Sequence, residues 1–122
     1  MKSGLILFAH GSREPRWAEP FERLAAQVRS RASAEVRLAY LELITPDLGA
    51  AADELIASGM RSIHIVPVFL GQGGHVRSDL PVLVDTLRQR HPGIEFHCAA
   101  AVGEDDAVIE ALADYCRRVL AS

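Results

Sequence analysis

The sequence lacks any hydrophobic run long enough to cross a membrane. Its longest apolar runs, residues 5–9 and 65–70, are far shorter than the ~20 residues that a membrane-spanning helix needs. The first run ends at His10 and is too short for the apolar core of a secretory signal. We therefore expect a cytoplasmic protein without a membrane segment.

The sequence also has few cysteines and no large excess of one charge sign. Cys98 and Cys116 are far apart and form no Cys-x-x-Cys pair, which predicts two ordinary thiols in a reducing cytoplasm, neither of them at the end of a strand. Thirteen Lys and Arg residues against sixteen Asp and Glu residues leave a formal net charge of -3. Nucleic-acid binding is not expected, because it needs a clustered basic surface.

The chain is also too short for two ordinary domains. It has 122 residues, of which 49% are hydrophobic and 24% are charged, and this composition is typical of a globular protein with one core. No linker or low-complexity tract divides the sequence. Residues 1–122 are therefore expected to form a single domain.

Apolar runs alternate with amphipathic stretches along the chain. The apolar runs predict four strands, at residues 4–9, 36–41, 63–69 and within 94–102. Apolar residues at helical spacing predict four helices, within residues 16–32, from Pro46 to a stop at Gly59, at 80–87 and at 108–119. This β-α-β-α-β-α-β-α order, with right-handed crossovers, predicts a parallel four-stranded sheet with helices on both faces. The pattern does not specify the strand order directly; the order that we expect is 2-1-3-4, with the switch point between the first and third strands.

Two local patterns refine this prediction. Thr45, Pro46 and Asp47 are typical of a helix N-cap, a first helical residue and an acidic first turn. Residues 70–78 contain three glycines and predict a flexible turn without regular structure. Such glycines indicate a close approach of the backbone, or movement of the loop.

Ionisable residues follow three of the predicted strands. His10 comes after the first strand, Glu42 after the second and His75 after the third. Ligands of parallel sheets bind beyond the carboxyl ends of the strands. Two imidazoles and a carboxylate suit a divalent cation such as cobalt, iron, nickel or zinc. The alternatives are a histidine bonded within its turn, a solvated carboxylate and a mobile loop.

The motifs that carry these residues resemble those of the class II chelatases, in the small form of the sirohydrochlorin cobaltochelatase and ferrochelatase family. The resemblance rests on the segments FAHGSR at residues 8–13, LE at 41–42 and PVFLGQGGHVRSDLP at 67–81. It covers essentially the whole chain, and the third segment is the most specific. It implies a three-layer, chelatase-like (flavodoxin-like) α/β fold.

The resemblance also implies an activity, the insertion of Co²⁺ or Fe²⁺ into a tetrapyrrole in cobalamin or sirohaem biosynthesis, with no cofactor beyond the substrate metal. It implies that His10 and His75 bind the metal and accept pyrrole protons, and that Glu42 occupies the family's acidic position. Because sirohydrochlorin carries many carboxylates and the chain is net acidic, binding must be local. The residues assigned to substrate binding are Ser12, Arg13, Gly73, Gly74 and Arg77.

Several alternatives remain open at this stage. A non-catalytic metal or tetrapyrrole carrier would use the same histidines. A histidine phosphatase is the remote alternative, since its Arg-His-Gly motif would need an arginine where Ala9 stands. Cobalt, iron and nickel differ modestly in their affinity for nitrogen and oxygen ligands, so the sequence does not select the metal. Longer relatives carry two such domains, and we therefore expect this chain to work as a homodimer.

Overall fold

The predicted strands form and lie parallel in one sheet. The structure is a computed structural model that describes residues 3–122, apart from the side chain of His75. The strands are β1 (Ser3–Ala9), β2 (Ala34–Tyr40), β3 (Ser62–Pro67) and β4 (Glu95–Cys98). Their order in the sheet is β2-β1-β3-β4, with parallel neighbours throughout, so the predicted order 2-1-3-4 is confirmed.

Helices connect and follow these strands. They are α1 (Glu19–Arg31), α2 (Leu48–Ala57), α3 (Gly74–Arg90) and α4 (Asp106–Ala121), with a 3-10 turn at Val102–Glu104 before α4. Among residues 3–122, no helix has the length and apolar character needed to span a bilayer.

The apolar core is divided by the sheet into two unequal parts. The larger part contains Phe8 of β1 and Ile65 of β3 and lies against α2 and α3. The smaller part contains Leu7 of β1 and Val36 of β2 and lies against α1. Because side chains alternate along a strand, β1 is buried on both faces. This double burial explains the near-continuous apolar run from which the strand was predicted.

The start of α2 differs from the prediction. Thr45 is not the N-cap; Asp47 is, and its Oδ1 accepts a hydrogen bond from the backbone N–H of Ala50 at 2.8 Å. Asp47 has the extended backbone that an N-cap requires, with φ -81° and ψ 178°. Pro46 precedes the helix instead of opening it. An aspartate caps as well as a threonine, so the local pattern did not separate the two.

The start of α3 also differs. Residues 70–78 were expected to lack regular structure, yet α3 begins at Gly74. Its buried residues include Val76, Leu80 and Val84, at spacings of four. The apolar stripe therefore begins one turn earlier than predicted, and burial of Val76 offsets the cost of a glycine in the first turn.

The last helix forms as predicted but is almost uncovered. Its N-cap is Asp105, whose Oδ1 accepts from the N–H groups of Ala107 and Val108 at 2.9 and 3.2 Å. No residue of α4 is buried, and every residue from 109 to 122 is exposed. The helix therefore adds an amphipathic surface to the fold and no part of the core.

The Asp47 cap gives a prediction for stability. Replacing Asp47 with Ala removes the acceptor for the N–H of Ala50, and we expect a loss of about 1 kcal/mol in the free energy of unfolding. Thr45→Ala is the matched control, since Thr45 is exposed, and it is expected to change stability by less than about 0.5 kcal/mol. Urea denaturation measures both variants. Equal losses would show that Asp47 does not cap α2.

Candidate active site at the carboxyl end of the sheet

The site is organised by hydrogen bonds that continue beyond the last paired residues of β1 and β2. The N–H of Leu41 donates to the carbonyl of Ala9 at 2.9 Å, and the N–H of Glu42 donates to the carbonyl of His10 at 3.0 Å. β1 and β2 are adjacent in the sheet. The loops that follow them are therefore held side by side, which brings His10 and Glu42 together as the sequence predicted.

Gly11 makes this close approach possible. Its φ is +104°, a conformation that residues with a side chain rarely adopt, and a Cβ atom here would lie 1.8 Å from the carbonyl oxygen of Glu42. Gly11 is buried. In the structure this glycine clears space for the neighbouring loop, which carries Glu42.

His10 and Glu42 form a hydrogen-bonded pair. His10 Nε2 lies 3.1 Å from Glu42 Oε1, and the two side chains are 48% and 45% exposed. When Nε2 carries the proton and donates a hydrogen bond to the carboxylate, the lone pair of Nδ1 is left available to a ligand. An ion pair this exposed adds little to stability. Its importance lies in presenting an oriented, accessible imidazole.

The loop that carries Glu42 is tight and locally strained. Leu43 has a φ of +70°, and the N–H of Ile44 donates to the carbonyl of Glu42 at 2.8 Å, which closes a three-residue turn. The N–H of Tyr40 bonds to the carbonyl of Pro46 at 2.9 Å and closes the base of the loop. Strain of this kind persists where surrounding contacts fix the backbone. It holds Glu42 at a defined position beside His10.

The third strand-end segment leads into α3. Gly73 is the N-cap of α3, Gly74 its first residue and His75 its second. The side chain of His75 lies outside the described residues, so its predicted place beside His10 and Glu42 remains a prediction. A Cβ on Gly71, Gly73 or Gly74 would meet no described atom within 4 Å. No close contact with a described residue explains these glycines, and movement of the loop stays a prediction.

The predicted substrate-binding side chains are accessible. Arg13 and Arg77 are exposed and make no ion pair with any described side chain. The side chain of Ser12 instead bonds within its own loop, because its Oγ accepts a hydrogen bond from the N–H of Glu14 at 3.1 Å. The structure thus leaves the two arginines available to an anionic ligand.

A cavity of about 620 Å³ opens beside Glu42, between α2 and α3. Its lining includes Phe8, Tyr40, Glu42, Asp79 and Arg90. The cavity therefore combines an apolar floor with charged groups at its sides. The phenol of Tyr40 is not one of these groups, because its ring packs beside Trp17 on the α1 side of the sheet, with ring centroids 6.0 Å apart. Burial, with a smaller contribution from Glu22, raises the pKa of Tyr40 and keeps the phenol neutral at physiological pH.

The cysteine nearest this end of the sheet does not resemble a metal ligand. Cys98 is the last residue of β4, so the expectation that no cysteine lies at a strand end is wrong. Desolvation raises the pKa of the Cys98 thiol, and Arg88 offsets only part of this effect. The protonated thiol is a poor metal ligand. Leaving His75 aside, no described group of three His, Cys, Asp or Glu side chains could hold a metal ion.

Sequence reasoning missed two apolar residues in the same region. Leu43, in the loop after β2, is 52% exposed, and Leu70, in the loop after β3, is 67% exposed. Exposed leucines near the His10–Glu42 pair suit a ligand with large apolar faces. The available signal was an apolar residue three positions after the last residue of β2 and of β3, where a solvated loop would carry a polar one.

Comparison with known proteins is consistent along the whole chain. A family model described as CbiX matches residues 4–119. A sirohydrochlorin cobaltochelatase of Saccharolobus solfataricus is 32% identical over 115 residues, which cover 89% of this chain and 89% of that protein. Another, from Methanothermobacter thermautotrophicus, is 35% identical over 80 residues. The matched residues make up 66% of this chain. The chain spans 56%, about half, of the length of that protein.

Solved structures give the same result. A CbiX protein from Marinobacter aquaeolei is 31% identical, with a TM-score of 0.87 and coverage of 98% of this chain and 96% of that one. The sirohydrochlorin chelatase SirB from Bacillus subtilis, in complex with cobalt, is 22% identical with a TM-score of 0.83 and shares the fold. This chain covers 51% of SirB, so the fold occupies half of that longer protein.

The close contact at Gly11 predicts that a substitution there costs more stability than a substitution at the other loop glycines. Gly11→Ala forces a side chain onto the carbonyl of Glu42, and we expect a loss of at least about 2 kcal/mol in the free energy of unfolding. Gly71→Ala is the control, since its Cβ would meet no described atom within 4 Å. It is expected to be nearly neutral. Thermal or urea unfolding checks both, and a neutral Gly11→Ala would contradict this account of the loop.

Proposed function

The chain belongs to the CbiX family, and we propose that it inserts a divalent metal ion, Co²⁺ or Fe²⁺, into a sirohydrochlorin-type tetrapyrrole. The observation that carries this proposal is the accessible His10–Glu42 pair, with Nε2 and Oε1 3.1 Å apart, at the carboxyl end of the sheet. The names of the relatives support the same activity. The metal is a substrate here, and no resident cofactor is proposed.

The reaction exchanges two pyrrole protons for one metal ion. The metal must lose water molecules, bind weakly to the protein and pass to the macrocycle, while a base accepts each proton. A neutral imidazole suits both tasks, since it binds borderline divalent metals and accepts protons near neutral pH. In our proposal His10 binds the metal through Nδ1 and, after the metal has passed to the macrocycle, accepts one pyrrole proton at the same nitrogen, while Glu42 orients its ring through Nε2. His75 is proposed as the second imidazole, which accepts the other proton.

Recognition of the substrate is proposed to combine charge with apolar contact. Arg13 follows β1 and Arg77 lies in the first turn of α3, and both are exposed. A guanidinium pairs well with the peripheral carboxylates of such a tetrapyrrole. Leu43 and Leu70 would contact its ring system. This local arrangement compensates for the formal net charge of -3.

We propose that the metal ion that is inserted depends on which ion the cell supplies. The affinity of nitrogen and oxygen ligands for these divalent ions rises from iron to cobalt to nickel, whatever the site. The proposed imidazole ligands impose no geometry that selects one of them. The cobalamin and sirohaem pathways are both compatible with this chemistry.

The working unit is proposed to be a homodimer that holds the tetrapyrrole between its subunits. One sheet end offers one open surface, whereas a macrocycle about 10–15 Å across needs two walls to be largely buried. This chain matches half of the longer SirB protein, with 51% coverage. A second copy, related by a two-fold axis, would supply the other wall.

The first prediction of this proposal concerns the histidine. His10→Ala is expected to lower the rate of metal insertion by about a hundredfold or more, because it removes both metal ligand and base. Glu42→Gln keeps the shape but removes the negative charge, and a smaller loss is expected. The assay follows the absorbance of sirohydrochlorin with each metal, corrected for the rate without protein.

The chain contains a matched control for this experiment. His91 Nε2 lies 3.2 Å from Asp53 Oδ1, a histidine–carboxylate pair of similar geometry at the opposite end of α3. His91→Ala is therefore expected to leave the rate unchanged. Near-normal turnover of His10→Ala would contradict the assigned role. A wild-type protein that binds metal and tetrapyrrole but completes no second turnover would indicate a carrier.

The second prediction concerns mass. Sedimentation at micromolar concentration, with and without sirohydrochlorin, is expected to give an active species with twice the mass of the 13.3 kDa chain. A dimer is expected because two sheet ends together enclose the substrate. A fully active species with the mass of one chain would contradict the proposed dimer and leave the proposed reaction standing.

A further inference from the structure

The side of α3 that borders the cavity beside Glu42 carries a second carboxylate. The residues of α3 that line this cavity are Asp79, Val82, Leu83, Thr86, Leu87 and Arg90. Asp79 is half-buried, and among these residues it is the nearest to the start of the helix. A carboxylate that is partly withdrawn from water needs a hydrogen-bond donor in its place.

Helix formation does not explain an aspartate at this position. Asp79 lies beyond the first turn of α3, which begins at Gly74. A negative charge is stabilised by the helix dipole only within that first turn. In the interior of a helix, aspartate is a weak helix former. The role of Asp79 is therefore to be found in a contact of its side chain.

The residues one turn away on α3 include a single donor. They are His75, Val76, Val82 and Leu83, and only the histidine has a side chain that donates a hydrogen bond. Residues four apart have Cβ atoms about 5–6 Å apart, and Cα–Cβ bonds tilt toward the start of the helix, so the carboxylate of Asp79 leans toward residue 75. Both residues precede Pro81, and a bend at that proline leaves their spacing unchanged.

The other donors that line the cavity are engaged elsewhere. Thr86 donates from Oγ1 to a backbone carbonyl of α3 at 2.9 Å. Arg90 Nη2 lies 3.7 Å from Asp53 Oδ2, and Arg90 is about 16 Å further along the helix than Asp79. Tyr40 packs on the α1 side of the sheet. The remaining charged groups of the lining are carboxylates, which accept hydrogen bonds when ionised.

We infer that Asp79 is a positioning residue, whose carboxylate accepts a hydrogen bond from one ring nitrogen of His75 and orients the imidazole. The arrangement is the same as at His10, whose Nε2 lies 3.1 Å from Glu42 Oε1. With one ring nitrogen bonded to the carboxylate, the other is left to accept the pyrrole proton. The inference rests on the proposed function for the task of His75, and not for the pair itself.

The register of α3 is consistent with this role. The residues that α3 buries in the core are Val76, Leu80, Val84 and Leu87. The residues that line the cavity begin with Asp79 on an adjoining side of the helix. Residue 75 lies one turn before Asp79 on that side, nearer to the carboxyl end of the sheet. An imidazole held there by Asp79 borders the cavity that Glu42 also lines.

The first test observes the imidazole without metal or tetrapyrrole. Nitrogen-15 NMR of the 13.3 kDa chain distinguishes the two tautomers of a neutral histidine, and a His75→Ala spectrum assigns the signals. One tautomer of His75 is expected to dominate in the wild type, because the carboxylate fixes which nitrogen carries the proton. Asp79→Ala is expected to give a mixture of both tautomers.

The same helix provides a matched control. Asp85 is 67% exposed, lies 3.4 Å from Arg88 Nη1 and does not line the cavity beside Glu42. Asp85→Ala is expected to change neither the tautomer of His75 nor the rate of metal insertion. Circular dichroism checks that both variants keep their helical content, which the change from aspartate to alanine favours.

The second test measures the kinetics of Co²⁺ insertion into sirohydrochlorin. Asp79→Ala is expected to lower kcat about tenfold, a typical cost of removing the partner of a ligating histidine. KM for sirohydrochlorin is expected to be unchanged, because the carboxylate contacts the imidazole and not the tetrapyrrole. Asp79→Asn keeps an acceptor oxygen and is expected to lose less. In a His75→Ala chain, Asp79→Ala is expected to cause no further loss.

The outcomes distinguish this inference from the proposed function. A His75 tautomer that is mixed in the wild type, or unchanged in Asp79→Ala, overturns the pair and leaves the chelatase reaction standing. A tenfold loss that persists in the His75→Ala chain also overturns it, since Asp79 then acts on another group. A tautomer that changes as expected in a protein that inserts no metal supports the pair and contradicts the reaction.

Discussion

The candidate site depends on the contact between the loops that follow β1 and β2. The carbonyl of Glu42 occupies the space where Gly11 would otherwise carry a side chain, 1.8 Å from the ideal Cβ position. Two backbone hydrogen bonds hold the loops at this distance. The backbone contacts therefore bring His10 and Glu42 together, and the hydrogen bond between their side chains adds to these contacts. This explains how an exposed pair keeps a defined geometry.

The sequence predicted the features that follow from alternation and sheet topology. The apolar runs predicted the strands. The expected order 2-1-3-4, which the crossover rule alone does not specify, predicted that residues after β1 and β2 meet, and the structure has this order. His10 and Glu42 are 3.1 Å apart for that reason. Their roles in metal binding and proton transfer remain proposals, as do those of His75, Arg13 and Arg77.

The features that could not be predicted depend on choices between residues of similar local preference. Asp47 and Thr45 are both good N-caps, and the tertiary position of α2 decides between them. Gly74 looks unsuited to a helix, but burial of Val76 extends α3 to it. The positive φ of Leu43 depends on how the loop closes. In each case a contact distant in sequence outweighs the local signal.

The segment before α4 is in contact with a loop that leads to the candidate site. An ideal Cβ on Gly103 would lie 1.7 Å from the carbonyl oxygen of Leu70, so the turn before α4 is packed against the loop that leads into α3. That loop continues through Gly73 to His75. The turn before α4 therefore supports the loop from which the second proposed imidazole is presented. The hydrogen bond from the N–H of Gly103 to the carbonyl of Phe69, at 3.0 Å, adds to this support, so the segment that follows β4 helps to position the loop that leads into α3.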